Sequence, residues 1–210
     1  MNITKDTTLF LETLESTDYH VAEGANLTIV ALLTEGWEEK AYLNFYLESE
    51  NSEVYFNAII LGKGENSFPL ETISHHPTTN TKGFYYTRSV LFDKSRVDYR
   101  GNLVIPKEGQ MTDCYLSHDT LMLSPDAKTI TIPCLEIEAD DVTAGHAATV
   151  GRVDEELLFY LQSRGIGKSQ AQEMLIRGFL QGDLNKINDE EIRQKVSEKI
   201  EALVGSIFLF

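Results

Sequence analysis

The stretch Pro133-Cys-Leu-Glu-Ile-Glu-Ala-Asp-Asp-Val-Thr-Ala-Gly-His-Ala-Ala-Thr-Val-Gly-Arg-Val-Asp-Glu-Glu-Leu-Leu-Phe-Tyr-Leu-Gln-Ser-Arg-Gly-Ile-Gly167 contains a change of period. Up to Val150 its residues are short, β-branched and alternating. Leu135 and Ile137 face one way while Glu136 and Glu138 face the other, as a half-buried strand requires. After Gly151 the period becomes helical. Asp154 is positioned as an N-cap, Glu155 and Glu156 sit over the positive end of a helix, and Leu157, Leu158 and Leu161 form its apolar side. Gly165 fits the stop.

Upstream, strand signals recur at 27–33, 42–47, 54–61, 70–73, 84–92, 97–105, 113–123 and 129–137, with turn chemistry at 62–66, 107–109 and 124–126. Residues 9–21 suit a strand pair or a short helix equally. Many short strands at regular spacing fit a sandwich, a barrel or a β-solenoid, and periodicity alone does not choose among them. Downstream the chain reads as helical. Ser169 with Gln172 makes a capping box ahead of Ala171, Met174, Leu175 and Phe179. Asn188 with Glu191 makes a weaker one ahead of Ile192, Val196, Ile200 and Leu203. The tail Ile207-Phe208-Leu209-Phe210 is too short to anchor in a membrane and is expected to fold back or join an interface.

A chain of 210 residues suits a β body, 1–151, with a small helical region, 152–210. Its 33 acidic against 18 basic residues, a net charge of −15, argue against a nucleic-acid partner. No apolar run approaches the roughly 20 residues of a membrane span, and the first residues lack the order of a secretory signal, so the expected compartment is the cytoplasm. There Cys114 and Cys134 are expected as reduced thiols. Gly167-Lys168-Ser169 resembles the end of a phosphate-binding loop, but Gln162 replaces the earlier glycine and a helix precedes it. No Gly-x-Ser-x-Gly elbow occurs. His75 and His76, adjacent on a strand, would point to opposite faces, and Pro77 favours a loop role for them.

The combination Leu135-Glu136-Ile137, Ala139-Asp140-Asp141-Val142, His146, Ala148-Thr149-Val150-Gly151 and Phe159-Tyr160-Leu161, followed by Ser163-Arg164-Gly165-Ile166, resembles the SufB/SufD family, on its SufD side. These are scaffold subunits of the SUF iron–sulfur cluster assembly machinery. Arg88, Gly101, Thr112-Asp113 and Leu121-Met122-Leu123-Ser124 add weaker support. The resemblance implies a mainly β protein, a right-handed parallel β-helix with a small C-terminal α-helical region, although many relatives are longer. It implies a non-enzymatic scaffold that binds no nucleotide itself and pairs through its terminal strands, near 129–150, with a SufB-like subunit or with itself as a homodimer.

It also implies docking of a SufC-like ATPase through Phe159, Tyr160, Ser163, Arg164, Gly165, Met174, Leu175 and Phe179. An iron–sulfur cluster would be held transiently, in complex with a partner. His146 matches the family's histidine and is a candidate iron ligand. Ala144 stands where SufD-type members commonly carry a cysteine. That leaves Cys134, Cys114 and Glu136 as further cluster-assembly candidates, against which stands the frequent burial of free cysteines. The rival expectations are a β-helical carbohydrate-active enzyme and a structural homodimer that has lost cluster chemistry.

Overall fold

The computed structural model describes residues 1–207, so the tail expected at Phe208-Leu209-Phe210 lies outside the described residues. Among the described residues there are twelve strands and three helices. The strands are β1 (Asn2–Ile3), β2 (Thr7–Leu11), β3 (Thr17–Val21), β4 (Asn26–Leu33), β5 (Ala41–Tyr46) and β6 (Glu53–Gly62). Then come β7 (Ser67–His75), β8 (Lys82–Leu91), β9 (Arg96–Ile105), β10 (Thr112–Met122), β11 (Lys128–Ile137) and β12 (Val142–Arg152). The helices are α1 (Glu155–Ser163), α2 (Lys168–Leu184) and α3 (Glu190–Ile207).

Odd-numbered strands form one sheet, in the order β1-β3-β5-β7-β9-β11, and even-numbered strands form the other, β12-β10-β8-β6-β4-β2. Every neighbouring pair is parallel. The chain therefore winds alternately through the two sheets as a β-solenoid of about five turns. Glu53 pairs with Lys82 and Ser67 with Arg96, each 29 positions on. Segment 9–21, which suited two structures, is extended and contributes to β2 and β3. The strand expected at 70–73 is longer, because Pro69 lies inside β7 and weakens its signal without breaking it.

Alternation sorts each strand into inward and outward residues. Leu27, Ile29, Ala31 and Leu33 of β4, with Val54, Phe56, Ala58 and Ile60 of β6, fill the interior. Phe45 sits among Tyr19, Phe56 and Tyr85, with ring centroids 5.2 to 5.9 Å apart. Toward the later coils the interior becomes polar but largely paired. Thr72 Oγ1 lies 2.8 Å from Tyr99 Oη, and Ser74 Oγ 2.6 Å from Tyr85 Oη. His75 and His76 do take opposite sides; the loop role is corrected for His75, the last residue of β7, whereas His76 lies just past the strand. His76 is fully buried, with Nε2 2.8 Å from Ser74 Oγ and Nδ1 2.8 Å from Thr81 Oγ1, while His75 stacks on Tyr46 outside. Gly109 completes this arrangement, since a Cβ there would collide with the His76 carbonyl.

A second core lies on the outer face of the even-numbered sheet. Val30, Leu32, Ile59, Leu61, Val90 and Phe92 point away from the interior and meet Ile176, Leu180, Leu184, Ile187, Val196, Ile200 and Val204. The outward side of this sheet is thus apolar where the helices cover it, as a sheet covered on both faces requires. Truncating a residue such as Leu180 to alanine would cost about 2–5 kcal/mol.

Asp154 caps α1 as expected, accepting from the backbone N–H groups of Glu156 and Leu157 at 2.9 and 3.1 Å, and Gly165 ends it at φ +86°. Both later capping boxes are corrected. Helix α2 starts one residue before Ser169, on an extended Gly167 whose carbonyl accepts from the Ala171 N–H at 2.8 Å. Ser169 therefore lies within the first turn. For α3 the cap is Asp189, whose Oδ1 accepts from the Ile192 N–H at 3.0 Å. Ile187, buried in the second core, holds Asn188 in the connecting turn.

Burial lowers the pKa of His76 to about 3 and of His118 to about 4, against an ordinary 6.5. Above pH 6.5 the histidines are neutral in both folded and unfolded chains. As pH falls from 6.5 toward 4 the unfolded chain binds protons that the folded chain refuses, so stability declines. Urea midpoints are expected to drop between pH 7 and pH 5. Replacing His118 with Gln should flatten that slope by up to one proton, about 1.4 kcal/mol per pH unit. An unaltered slope would assign the acid sensitivity to other groups.

Candidate functional site: the terminal coil and the helical face

The solenoid's last coil consists of β11 and β12, each paired on one side only, with β9 and β10 respectively. Their other edges carry open backbone donors and acceptors, and Ile130, Ile132, Ile137 and Val150 are exposed on them. Charge is divided along these strands. Lys128 opens β11 and Arg152 closes β12, whereas Glu136, Glu138, Asp140 and Asp141 gather where β11 passes into β12. At the basic end a groove of about 400 Å³ is lined by Arg96, Met122, Lys128, Thr129, Ile130 and Val150.

The candidate assembly residues fall on different faces of this coil and of the neighbouring strand β10. His146 is exposed on β12, in register with the buried Leu116 of β10, and so stands at the rim of the interior. Ala144 is in register with Cys114, which is buried in the interior and whose thiol is pushed up to about 12 by that burial. Cys134 and Glu136 belong to the outward row of β11. Cys134 is half-buried in register with Asn102, and exposed Glu136 accepts from Asn102 Nδ2 at 2.6 Å. Hence Cys134 and Glu136 share one face, while Cys114 and His146 belong to the inward rows of the other sheet. Among the described residues no group of three or more His, Cys, Asp or Glu side chains is placed to hold a metal ion.

The residues expected on the docking face are also sorted by the fold. In α1 only Leu158 is buried, leaving Phe159 72 % and Tyr160 52 % exposed, with Met174 of α2 at 46 %. Arg164 lies over the Tyr160 ring, 5.2 Å from its centroid, and Ser163 Oγ donates to the Tyr160 carbonyl at 2.7 Å. Both contacts stiffen the end of the helix just before Gly165. Leu175 is half-buried. Phe179 turns toward the body and packs beneath the Arg88 guanidinium, 4.8 Å away. Sequence reasoning missed the residues that join α2 to the sheet, Asp119, Asp183 and Thr149. A signal for this contact was Gly182, inside a helix, where a Cβ would stand 3.2 Å from Arg88 Nη1. Among the described residues no helix is long and apolar enough to cross a membrane.

Residues 11–179 match the family model for the core domain of SufBD proteins of the SUF system of iron–sulfur cluster assembly. The iron–sulfur cluster assembly protein SufD of Escherichia coli is 32 % identical over 187 residues, covering 87 % of this chain and 43 % of that protein. SufD of Bacillus subtilis is 34 % identical over 146 residues, 70 % of this chain and 33 % of that protein. A SufBD family protein of Pyrococcus horikoshii is 32 % identical over 163 residues, 78 % of this chain and 36 % of that protein. The chain thus spans less than half the length of these relatives.

The two thiols are expected to react unequally. Native protein treated with a maleimide should be modified at Cys134 and spared at Cys114, with the second adduct appearing only after denaturation, as read by mass spectrometry of the peptides. Rapid native modification of Cys114 would contradict its placement in the core.

Proposed function

The chain belongs to the SufBD family of SUF iron–sulfur cluster assembly proteins, and from that premise we propose that it is a cytoplasmic, non-catalytic scaffold subunit. In this reading residues 1–151 are the body, which pairs through its last coil, and residues 152–210 are the part that docks a SufC-like ATPase. The observation that carries the reading is the open last coil. Two long strands with unpaired edges and exposed isoleucines form a template for another chain. The opposite charges at the two ends of those strands support a partner that lies antiparallel, a second copy or a SufB-like subunit of similar pattern.

ATP-driven association of two docked ATPases would draw the paired scaffolds apart or together and open the seam between them to iron and sulfide. The cluster is then cargo. His146, at the rim of that seam, is the nitrogen donor this chain offers to iron. With Ala144 in place of a thiol and Cys114 buried, the sulfur ligands would come from the partner, or from Cys134 on the outer row. The separation of these candidates favours a second reading, a structural subunit that has lost cluster chemistry. In that case anaerobic reconstitution with iron and sulfide would leave no bound metal, with or without a SufB-like partner.

Light scattering on size-exclusion fractions of this chain mixed with a SufC-type ATPase from the same source tests the docking. A stoichiometric complex is expected, weakened at least about tenfold when Phe159 and Met174 are both changed to Asp, since exposed aromatic anchors dominate such interfaces. A well-folded chain that fails to bind a competent ATPase would remove the scaffold reading. For the assembly role, His146→Ala should leave the fold intact and lower the iron and sulfide retained by the complex. Undiminished retention withdraws His146.

A further inference from the structure

One row across the outer face of the even-numbered sheet runs Leu32, Ile59, Arg88, Asp119 and Thr149, one residue from each of β4, β6, β8, β10 and β12, in register. The first two are apolar and lie under the helices. The last three are polar and linked. Arg88 Nε lies 2.6 Å from Asp183 Oδ2 of α2, and Nη2 lies 3.0 Å from Asp119 Oδ2. Nη1 donates to the Phe179 carbonyl of α2. The second oxygen of Asp119 accepts from the Thr149 hydroxyl of β12.

Asp183 is 2 % exposed, and its second oxygen takes Lys186 Nζ at 2.8 Å, while its carbonyl accepts from Asn57 Nδ2 at 2.8 Å. A Cβ on Gly182 would stand 3.2 Å from Arg88 Nη1, so glycine there lets α2 approach the guanidinium.

We propose that Arg88 is a positioning residue that couples α2 to β12, the edge strand of the terminal coil. Apolar side chains, which make no directional bonds, allow packed helices small shear shifts of an ångström or two. A guanidinium does not. Its charge is permanent and its donors are fixed in one plane; here Nη1 and Nη2 donate to the Phe179 carbonyl and to Asp119, while Nε makes an ion pair with Asp183 without hydrogen-bond geometry. A shift of α2 that carries Asp183 and the Phe179 carbonyl must either break these contacts inside a half-buried site or move Arg88, Asp119 and Thr149 with it. The Proposed function gives this coupling its use, because α2 continues from the docking face and β12 is part of the pairing edge. The coupling itself belongs to this chain alone.

Native-state hydrogen exchange on the isolated chain tests it. Ile176→Ala loosens α2 from within the second core. With Arg88 in place, this substitution is expected to raise exchange about fivefold at β12 amides as well as in α2. In an Arg88→Met background α2 should still respond and β12 should not. Thr149→Val cuts only the last link and leaves the ion pairs intact, so it should uncouple β12 equally even where Arg88→Met folds poorly. Unchanged β12 exchange on Ile176→Ala with Arg88 in place overturns the proposal. So does an equal β12 response in the Thr149→Val background. Neither result depends on whether an ATPase binds, so the docking reading stands or falls by itself.

Discussion

A strand in a parallel solenoid finds its backbone partners only in the coils before and after it, here mostly near 29 residues away. Among the described residues no hairpin supplies a local alternative. Register is therefore enforced by what the coils stack inside, and the interior shows how. The early coils are held by aliphatic and aromatic packing around Phe45. The later ones interleave hydroxyls and imidazoles, where a one-residue slip would leave His76 or Tyr99 without its oxygen partner as well as misplacing volume. The same rule leaves the final coil unsatisfied along one edge of each sheet.

The two sheets meet different fates outside. The even-numbered sheet is covered by α2 and α3 and is apolar where they lie, while the odd-numbered sheet faces water with ion pairs and a His20-Tyr46-His75 stack. Arg88 sits where the covered region gives way to the open one. A charged group at such a boundary keeps some contact with water and yet fixes direction, which a further aliphatic side chain would not.

Much of this was legible in the residues. The switch of period around Gly151, the cap at Asp154 and the stop at Gly165 depend on local chemistry, and they fall where local chemistry puts them. Strand positions were legible for the same reason. The solenoid itself was not, because period two is common to every β architecture and coils of unequal turn length leave no repeat of side chains; it was the resemblance of residues 135–166 to a family that selected it. The capping boxes at Ser169 and Asn188 went astray because α2 starts from the extended backbone of Gly167 and α3 from the cap Asp189, beyond the buried Ile187. At the terminal coil, alternation puts Cys134 on the row of Glu136 and Glu138 and Leu135 on the apolar row, but the position that each residue meets in the neighbouring coil is not local. So Cys114 and His146 lie on inward rows of the even-numbered sheet in successive coils, one buried and one exposed, while Cys134 lies on the outer row of the other sheet.

The second core has a consequence for synthesis. Val30, Leu32, Ile59, Leu61, Val90 and Phe92 leave the ribosome long before Ile176 to Val204, the residues that cover them. Coils can stack as they emerge, since each needs only its predecessor. Their outer apolar strip, however, stays wet for on the order of seconds at ordinary elongation rates. During that interval the nascent chain presents a flat hydrophobic sheet face to its surroundings. A chaperone that shields extended β surface, or a pause that delays the helices, would therefore act on the yield of this protein through a surface that the finished molecule no longer displays.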